Sequence, residues 1–383
     1  MALVREVQSY AGLFFLVVSV LALFYLVIAN AATIAFRRRP LETSLSHVPS
    51  ITVLKPVCGL EEGLDEAIAS VCDQEYPGAY EVLFCVHDSD DPALAAIERA
   101  MTRYPHCDAR IAVGDNPTHR NPKIANLSKG AAAARGDIVV IADSDIVVDR
   151  HYLRAIAAAF ENDRTGAVTC LYRGIPRRGL VGALGAAYVE EQFAPSVLVT
   201  VAFGTLRFCL GATMAVRRTV LEAIGGIDVL GAFLADDHKL GELVAAHGHD
   251  VKLSRYVVAT SINEATLRQL WSHELRWART AFVLAPVGYT FSFFMYALPL
   301  AALYTLVSWN FVTGIPLMAA ALFLRLLLQY NARAALGVTR TPAPWIAPLR
   351  DFLSFALWAA SLAGRSVRWR GTRLAVDTRG EVI

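Results

Sequence analysis

Ile138-Val139-Val140-Ile141-Ala142-Asp143-Ser144-Asp145 is the stretch on which the fold turns. It runs apolar as far as Ala142 and then ends in two acids spaced i, i+2. A buried parallel strand delivers carboxylates in this way to the rim of an α/β sheet, where ligands bind. If extended geometry continues past Ala142, Asp143 and Asp145 point to the same side. Two such carboxylates suit a hard divalent cation, Mg²⁺ or Mn²⁺, with a diphosphate and water completing its shell. A solvated loop with incidental acids is the alternative.

Working outward, the segment from about 50 to 265 alternates strand and helix patterns. Ile51-Thr52-Val53-Leu54, Tyr80 to Val86 and Ala109 to Val113 read as strands. Glu62 to Cys72, Pro92 to Tyr104 and about Tyr152 to Phe160 read as helices. Asn121-Pro122 predicts an N-cap followed by proline at the first helical position, with Gly136 closing that helix. The alternation implies an α/β domain with a mainly parallel sheet covered on both faces.

Hydrophobic residues make up 55% of the 383 residues and charged residues only 18%, a skew that argues for a membrane protein. Ala11 to Phe36 carries no charge for 26 residues, enough to cross a bilayer. Arg37-Arg38-Arg39 follows directly, which favours a retained anchor over a cleaved signal and puts the next segment in the cytoplasm. Ala281 to Leu324 is uncharged for 44 positions, room for two spans with a turn near Ser308-Trp309-Asn310. Phe352 to Gly364 is a third apolar stretch, of 13 residues. It spans if Arg350 and Asp351 pair at its edge, and otherwise lies in the interface. A basic tail holds Arg365, Arg368, Arg370 and Arg373. The expected organisation is an anchor and linker at 1–49, a catalytic domain at 50–265, an interfacial amphipathic helix at 266–282 and a membrane region at 283–383. A net charge of +2 gives no sign of nucleic acid binding. Six scattered cysteines without a CxxC pair read as small apolar residues in a reducing compartment.

Several other polar clusters compete between capping and chemistry. His87-Asp88-Ser89-Asp90-Asp91-Pro92 follows a strand; Asp91 makes a sound N-cap, and acids there also suit a base or ribose edge. Asp236-Asp237 opens a helix-like run that Gly248 closes. Capping is one role; a carboxylate beside an acceptor pocket also serves as general base. Upstream, Gly211-Ala212-Thr213 leaves room for a bulky acceptor near the backbone. Lys55 and Lys123 are cations at predicted element ends: surface ion-pair partners, or, for Lys123 at a helix start, a group facing an anion. His273-Glu274-Leu275-Arg276-Trp277 lies on a helix just before the membrane. At roughly 100° per residue Arg268, Arg276 and Arg279 share an arc of ~80°, as in an interfacial helix with headgroup contacts. A sharper reading has Arg276 neutralise a leaving diphosphate while Trp277 packs a closing lid.

Taken in order, these motifs resemble the ceramide glucosyltransferases of glycosyltransferase family 21, from Leu54-Lys55-Pro56 to Arg276-Trp277. The resemblance implies a GT-A fold, a UDP-sugar donor and a membrane-lipid acceptor. It implies that Asp91 contacts the nucleotide, that Asp143 sits at the metal–diphosphate position with Asp145 beside it, and that Asp237 is the base. Arg276-Trp277 completes the D,D,D,(Q/R)xxRW signature, with His273 where Gln or Arg is usual. The donor side is then Lys55, Asp91, Lys123 and Asp143, the acceptor side Gly211, Asp236 and His273. A bacterial branch that adds N-acetylglucosamine to a polyhydroxylated hopanoid is similar in Cys170 to Gly174, Phe193 to Val199 and His273 to Trp277. It implies a bacterial inner-membrane protein with its catalytic domain in the cytoplasm. A processive polysaccharide synthase shares the Arg-Trp signature but carries more spans. A transporter or scaffold is disfavoured by charge-free spans.

Overall fold

The computed structural model describes residues 2–341, 343–364, 366–369, 372–375 and 380–381. They form two compact units. One comprises Arg39–Arg177, Gly204–Asn263 and Gly380–Ile383. The other comprises Met1–Arg38, Arg178–Phe203 and Glu264–Arg379, so the stretch expected as one block, 50–265, is divided between the units.

The first unit is built on one sheet of eight strands: β1 (Ile51–Val57), β2 (Tyr80–Val86), β3 (Asp108–Val113), β4 (Ile138–Ala142), β5 (Ile146–Val147), β6 (Thr165–Pro176), β7 (Thr213–Arg217) and β8 (Asp250–Ile262). Their order is β3-β2-β1-β4-β7-β6-β8-β5. All but β5 and β7 run in one direction, so the sheet is mainly parallel as the alternation predicted. The strands β2 and β4 have the predicted bounds; β4 is the unbroken apolar run that a strand covered on both faces requires, and β2 is one from Val82 onward. Chain order reverses between β1 and β4, which makes their C-terminal ends a topological switch point.

Asn121 caps the helix Pro122–Ala132, its side chain accepting from the Lys123 and Ile124 amides. Gly136 does not close that helix, which ends four residues earlier at Ala132. It serves close packing instead, since a Cβ there would lie 2.6 Å from the carbonyl carbon of Ile51 on β1. The N-terminal edge of the sheet carries its own ion cluster. Glu81, 4% exposed, accepts from Thr52 Oγ1 at 2.7 Å, from the Arg135 side chain at 2.6 and 2.9 Å, and from Arg110.

The second unit is helical. Gln8–Arg38 and Phe311–Ala335 are each long and apolar enough to cross a membrane. Pro286–Met295 and Ala297–Ser308 form a pair bent by 73°, so the first half of the uncharged 281–324 stretch is not one straight helix. The turn falls where expected: Trp309 takes φ 51° and Asn310 caps the next helix through the Thr313 amide. Fully buried Ala22, Ala29, Ala301 and Ala321 let the helices approach closely.

Two expectations about charge need correction. Helix Phe311–Ala335 continues past Leu324 to include Arg325 and Arg333, both buried, so this span is not charge-free. Arg325 donates to Asp351 at 2.7 Å and to Glu191 at 3.1 Å. Arg350 and Asp351 therefore do not pair with each other; Arg350 holds Glu274. The helix Ile346–Ser361 has 16 residues, short of the roughly 20 that a span needs. The tail arginines Arg368 and Arg373 lie on a two-stranded hairpin, Ser366–Trp369 with Thr372–Ala375; Arg365 and Arg370 lie outside the described residues.

Candidate active site

The parallel strands bring β1 and β4 side by side, with Leu54 opposite Ile141. Lys55 and Asp143 therefore come together at the switch point. Lys55 is fully buried, and its Nζ donates to the main-chain oxygens of Asp143 at 2.9 Å and Ile146 at 3.2 Å. The lysine turns inward and holds the loop that carries both acids, in place of the surface ion pair its position suggested. Burial lowers its ammonium to about 8, and Asp145 and Asp143 oppose that fall.

Antiparallel β7 places Thr213 opposite Ala142, which carries Gly211 to the acid loop. A Cβ at Gly211 would lie 3.4 Å from both Asp143 Oδ2 and Asp237 Oδ2. Glycine thus keeps open the space onto which two acids from distant segments face. Asp236 and Asp237 begin the helix Asp236–Ala246. That helix reaches the loop before β7 closely, with the Cys209 amide donating to the Asp237 carbonyl at 3.1 Å.

Lys123, at the start of its helix, does face anions, and both are side chains of this chain. Its Nζ lies 2.7 Å from Asp143 Oδ1 and 2.9 Å from Asp236 Oδ2. Burial alone would lower this ammonium, but Asp143 and Asp236 more than offset it and hold it well above the usual lysine range. Asp237 keeps one oxygen on the His238 amide at 2.8 Å. Burial and then the Asp236 charge push its carboxyl up to about 6, with Lys123 pulling the other way. Asp143 and Asp145 are also raised, chiefly by burial.

Asp145 is held from the far side of the sheet, where Thr260 near the end of β8 donates its hydroxyl to Oδ2. Thr260 was not legible beforehand, because only the pairing of β5 with β8 brings it there. Among the described residues no three or more of His, Cys, Asp and Glu converge as a closed cation cage. The chain does not stay extended past Ala142: it turns at Ser144-Asp145, with the Ile146 amide donating to the Asp143 carbonyl at 3.2 Å, so the expected same-side alternation does not hold. What the chain offers is two hard oxygen donors on one turn, Asp143 Oδ2 facing the Gly211 space and Asp145 holding Thr260 through Oδ2. That donor set fits Mg²⁺ or Mn²⁺ completed by substrate phosphate and water.

Asp91 accepts from the Gly59 amide at 3.0 Å and the Ala93 amide at 2.8 Å, tying together the loops after β1 and β2. It thus makes a local turn at the C-terminal edge of the sheet, close to the capping role weighed above, while the helix itself starts at Leu94.

His273, Arg276 and Trp277 belong to the other unit, on the helix Leu267–Leu284. A reciprocal cap of Thr266 and Gln269 starts that helix. His273 Nδ1 pairs with Glu264. Its ring lies 4.3 Å from that of Trp277, which stacks on Tyr188 at 5.9 Å.

A family model described as Glycosyl transferase family 21 matches residues 14–382. Ceramide glucosyltransferase 1 of Caenorhabditis elegans is 23% identical over 240 residues, 62% of this chain and 51% of that protein. A ceramide glucosyltransferase of Komagataella phaffii is 40% identical over 106 residues, 27% of this chain and 21% of that protein. The chain thus spans about half the length, or less, of these relatives. Among solved structures, the mannosyltransferase PcManGT from Pyrobaculum calidifontis, in complex with GDP-Man and Mn²⁺, aligns with a TM-score of 0.53 at 18% identity. The alignment covers 92% of this chain and 98% of that one. At that identity the likeness shows a shared fold, of the GT-A type that the resemblance implied.

Proposed function

The chain belongs to glycosyl transferase family 21, and on that premise we propose that it moves a hexose from a UDP-sugar to the hydroxyl of a membrane lipid, ceramide, with inversion. The observation that carries the reading is the convergence of Lys123, Asp143, Asp236 and Asp237 at the switch point of a mainly parallel sheet. The names of the curated relatives point to ceramide, and membrane association follows from the two apolar helices.

In this reading Asp143 and Asp145 hold the divalent cation, which when bound neutralises charge on the donor diphosphate. Asp91 and Lys55 organise the loops that receive the nucleotide. Asp237 is the general base: it takes the proton of the acceptor hydroxyl as that oxygen bonds to the anomeric carbon and the bond to UDP breaks. Asp236 and Lys123 fix Asp237's neighbourhood, and Gly211 on the acceptor side leaves room for the acceptor to approach the backbone. By the family resemblance the role assigned to Arg276 is to neutralise the departing diphosphate, that of Trp277 to pack a closing lid, and that of His273 to serve the acceptor. The catalytic stretch faces the cytoplasm of a bacterial inner membrane, following Arg37-Arg38-Arg39 after the first span.

Mass spectrometry of lipids from cells with and without the protein tests the acceptor. One hexose added to ceramide supports the reading. A glycosylated hopanoid would replace ceramide, and a polymer ladder would reject a lipid-modifying enzyme.

A further inference from the structure

The helix that bears Arg276 and Trp277 is held by a buried cation that no motif includes. Arg350, on the helix Ile346–Ser361, is 0% exposed. Its Nη1 donates to Glu274 Oε1 at 2.9 Å and its Nη2 to Oε2 at 2.5 Å, a two-pronged pair. Its Nε donates to Ser354 Oγ at 2.9 Å. Its guanidinium also lies over the Tyr188 ring, 5.0 Å from the centroid, and Tyr188 is the ring on which Trp277 stacks. One side chain therefore braces the motif twice, through Glu274 and through Tyr188 to Trp277.

Two physical points give this brace a directional role. On a helix Glu274 and Arg276 lie roughly 200° apart, so anchoring the Glu274 face leaves Arg276 on the opposite side. A buried ion pair is also a poor stabiliser compared with apolar packing of the same shape, whereas a planar fork on a carboxylate fixes orientation. Ser354 extends the brace, donating to Gln192 at 2.5 Å, and Gln192 donates to Asp351 at 3.0 Å. The anchor thus reaches the segment Val189–Phe193, a short π-helical turn.

We propose that Arg350 is a positioning residue for the Arg276–Trp277 motif, acting through its two-pronged pair with Glu274 and its contact with Tyr188. This rests on the proposed catalytic role of Arg276 and Trp277, and the test separates the two. The full chain, labelled with 5-fluorotryptophan in lipid nanodiscs, gives a ¹⁹F resonance for Trp277 that Trp277→Phe identifies. Arg350→Met and the milder Glu274→Gln shift that resonance and leave that of distant Trp309 in place. A Trp277 signal unmoved by both overturns the proposal. With UDP-glucose and ceramide in the same discs, Glu274→Met combined with Arg350→Met removes both buried charges. Its thermal midpoint returns toward that of the unsubstituted chain, while kcat stays at least about tenfold down and both KM values hold. Recovery of kcat along with the midpoint overturns the proposal, since the pair then served folding alone. If the unsubstituted chain transfers nothing to ceramide, or Arg276→Ala turns over normally, it is the functional reading that fails, and the ¹⁹F result still decides the brace.

Discussion

Asp237 shows how neighbours set the chemistry of one carboxyl. Burial and Asp236 raise it to about 6, Asp143 adds to that rise, and Lys123 with the His238 amide restrains it. A carboxyl raised in this way is protonated below about pH 6 and cannot accept a proton there. We expect kcat/KM for transfer to fall about tenfold per pH unit below that point, read from a pH–rate profile with the chain kept folded. Asp237→Asn should retain UDP binding by calorimetry and lose transfer by about 10²- to 10⁴-fold; unimpaired turnover would remove Asp237 as base. The residue types were legible before the structure, but the partners of the cations were not. The lysines at 55 and 123 read as surface ion-pair partners or anion ligands. Lys55 holds main-chain oxygens of the acid loop, and the anions that Lys123 faces are Asp143 and Asp236 of this chain, because a parallel sheet gathers its strand ends at one edge.

The helix Asp236–Ala246 delivers its acids by close packing. A Cβ at Gly241 would clash with Phe208 Cα and lie 2.7 Å from the Cys209 nitrogen, which is backbone that cannot rotate away. The same turn of chain gives the bond from Cys209 to Asp237 and then runs to Gly211. Gly241→Ala should push helix and loop apart and lower kcat by roughly tenfold or more, since small displacements of a reacting group are costly. Circular dichroism would show the helix content kept. Helix starts were readable where the cap is local, as at Asn121, whose side chain bonds amides two and three residues on. Gly241 gave no such signal, because its constraint comes from a loop some thirty residues earlier in the chain.

Across the first unit, the buried ion cluster and the proposed site sit at opposite edges of the same sheet. Glu81 is the second residue of β2, while Asp143 follows the end of β4. Burial alone would raise the Glu81 carboxyl, but bonds from Thr52, Arg135 and Arg110 hold it down to about 2. A depressed carboxyl contributes stability that is fully present above its unfolded value near 4.5 and is lost as pH falls toward 2. The contribution at neutral pH is on the order of 3 kcal/mol. Glu81→Gln should therefore lower the thermal midpoint of the full chain in detergent at pH 7, and the gap should narrow on acidification. A gap independent of pH would refute this assignment.

From the sequence alone came the strands β2 and β4, the capped helix at 122, the N-terminal span and the turn at Trp309. All are short-range features, written in periodicity, caps and unbroken apolar runs that a local window contains. Which charges meet was decided only by the tertiary structure. Glu274 finds Arg350 across 76 residues and Glu191 finds Arg325 across 134. No local pattern specifies such partners, because a buried charge is tolerated only where the fold supplies its opposite.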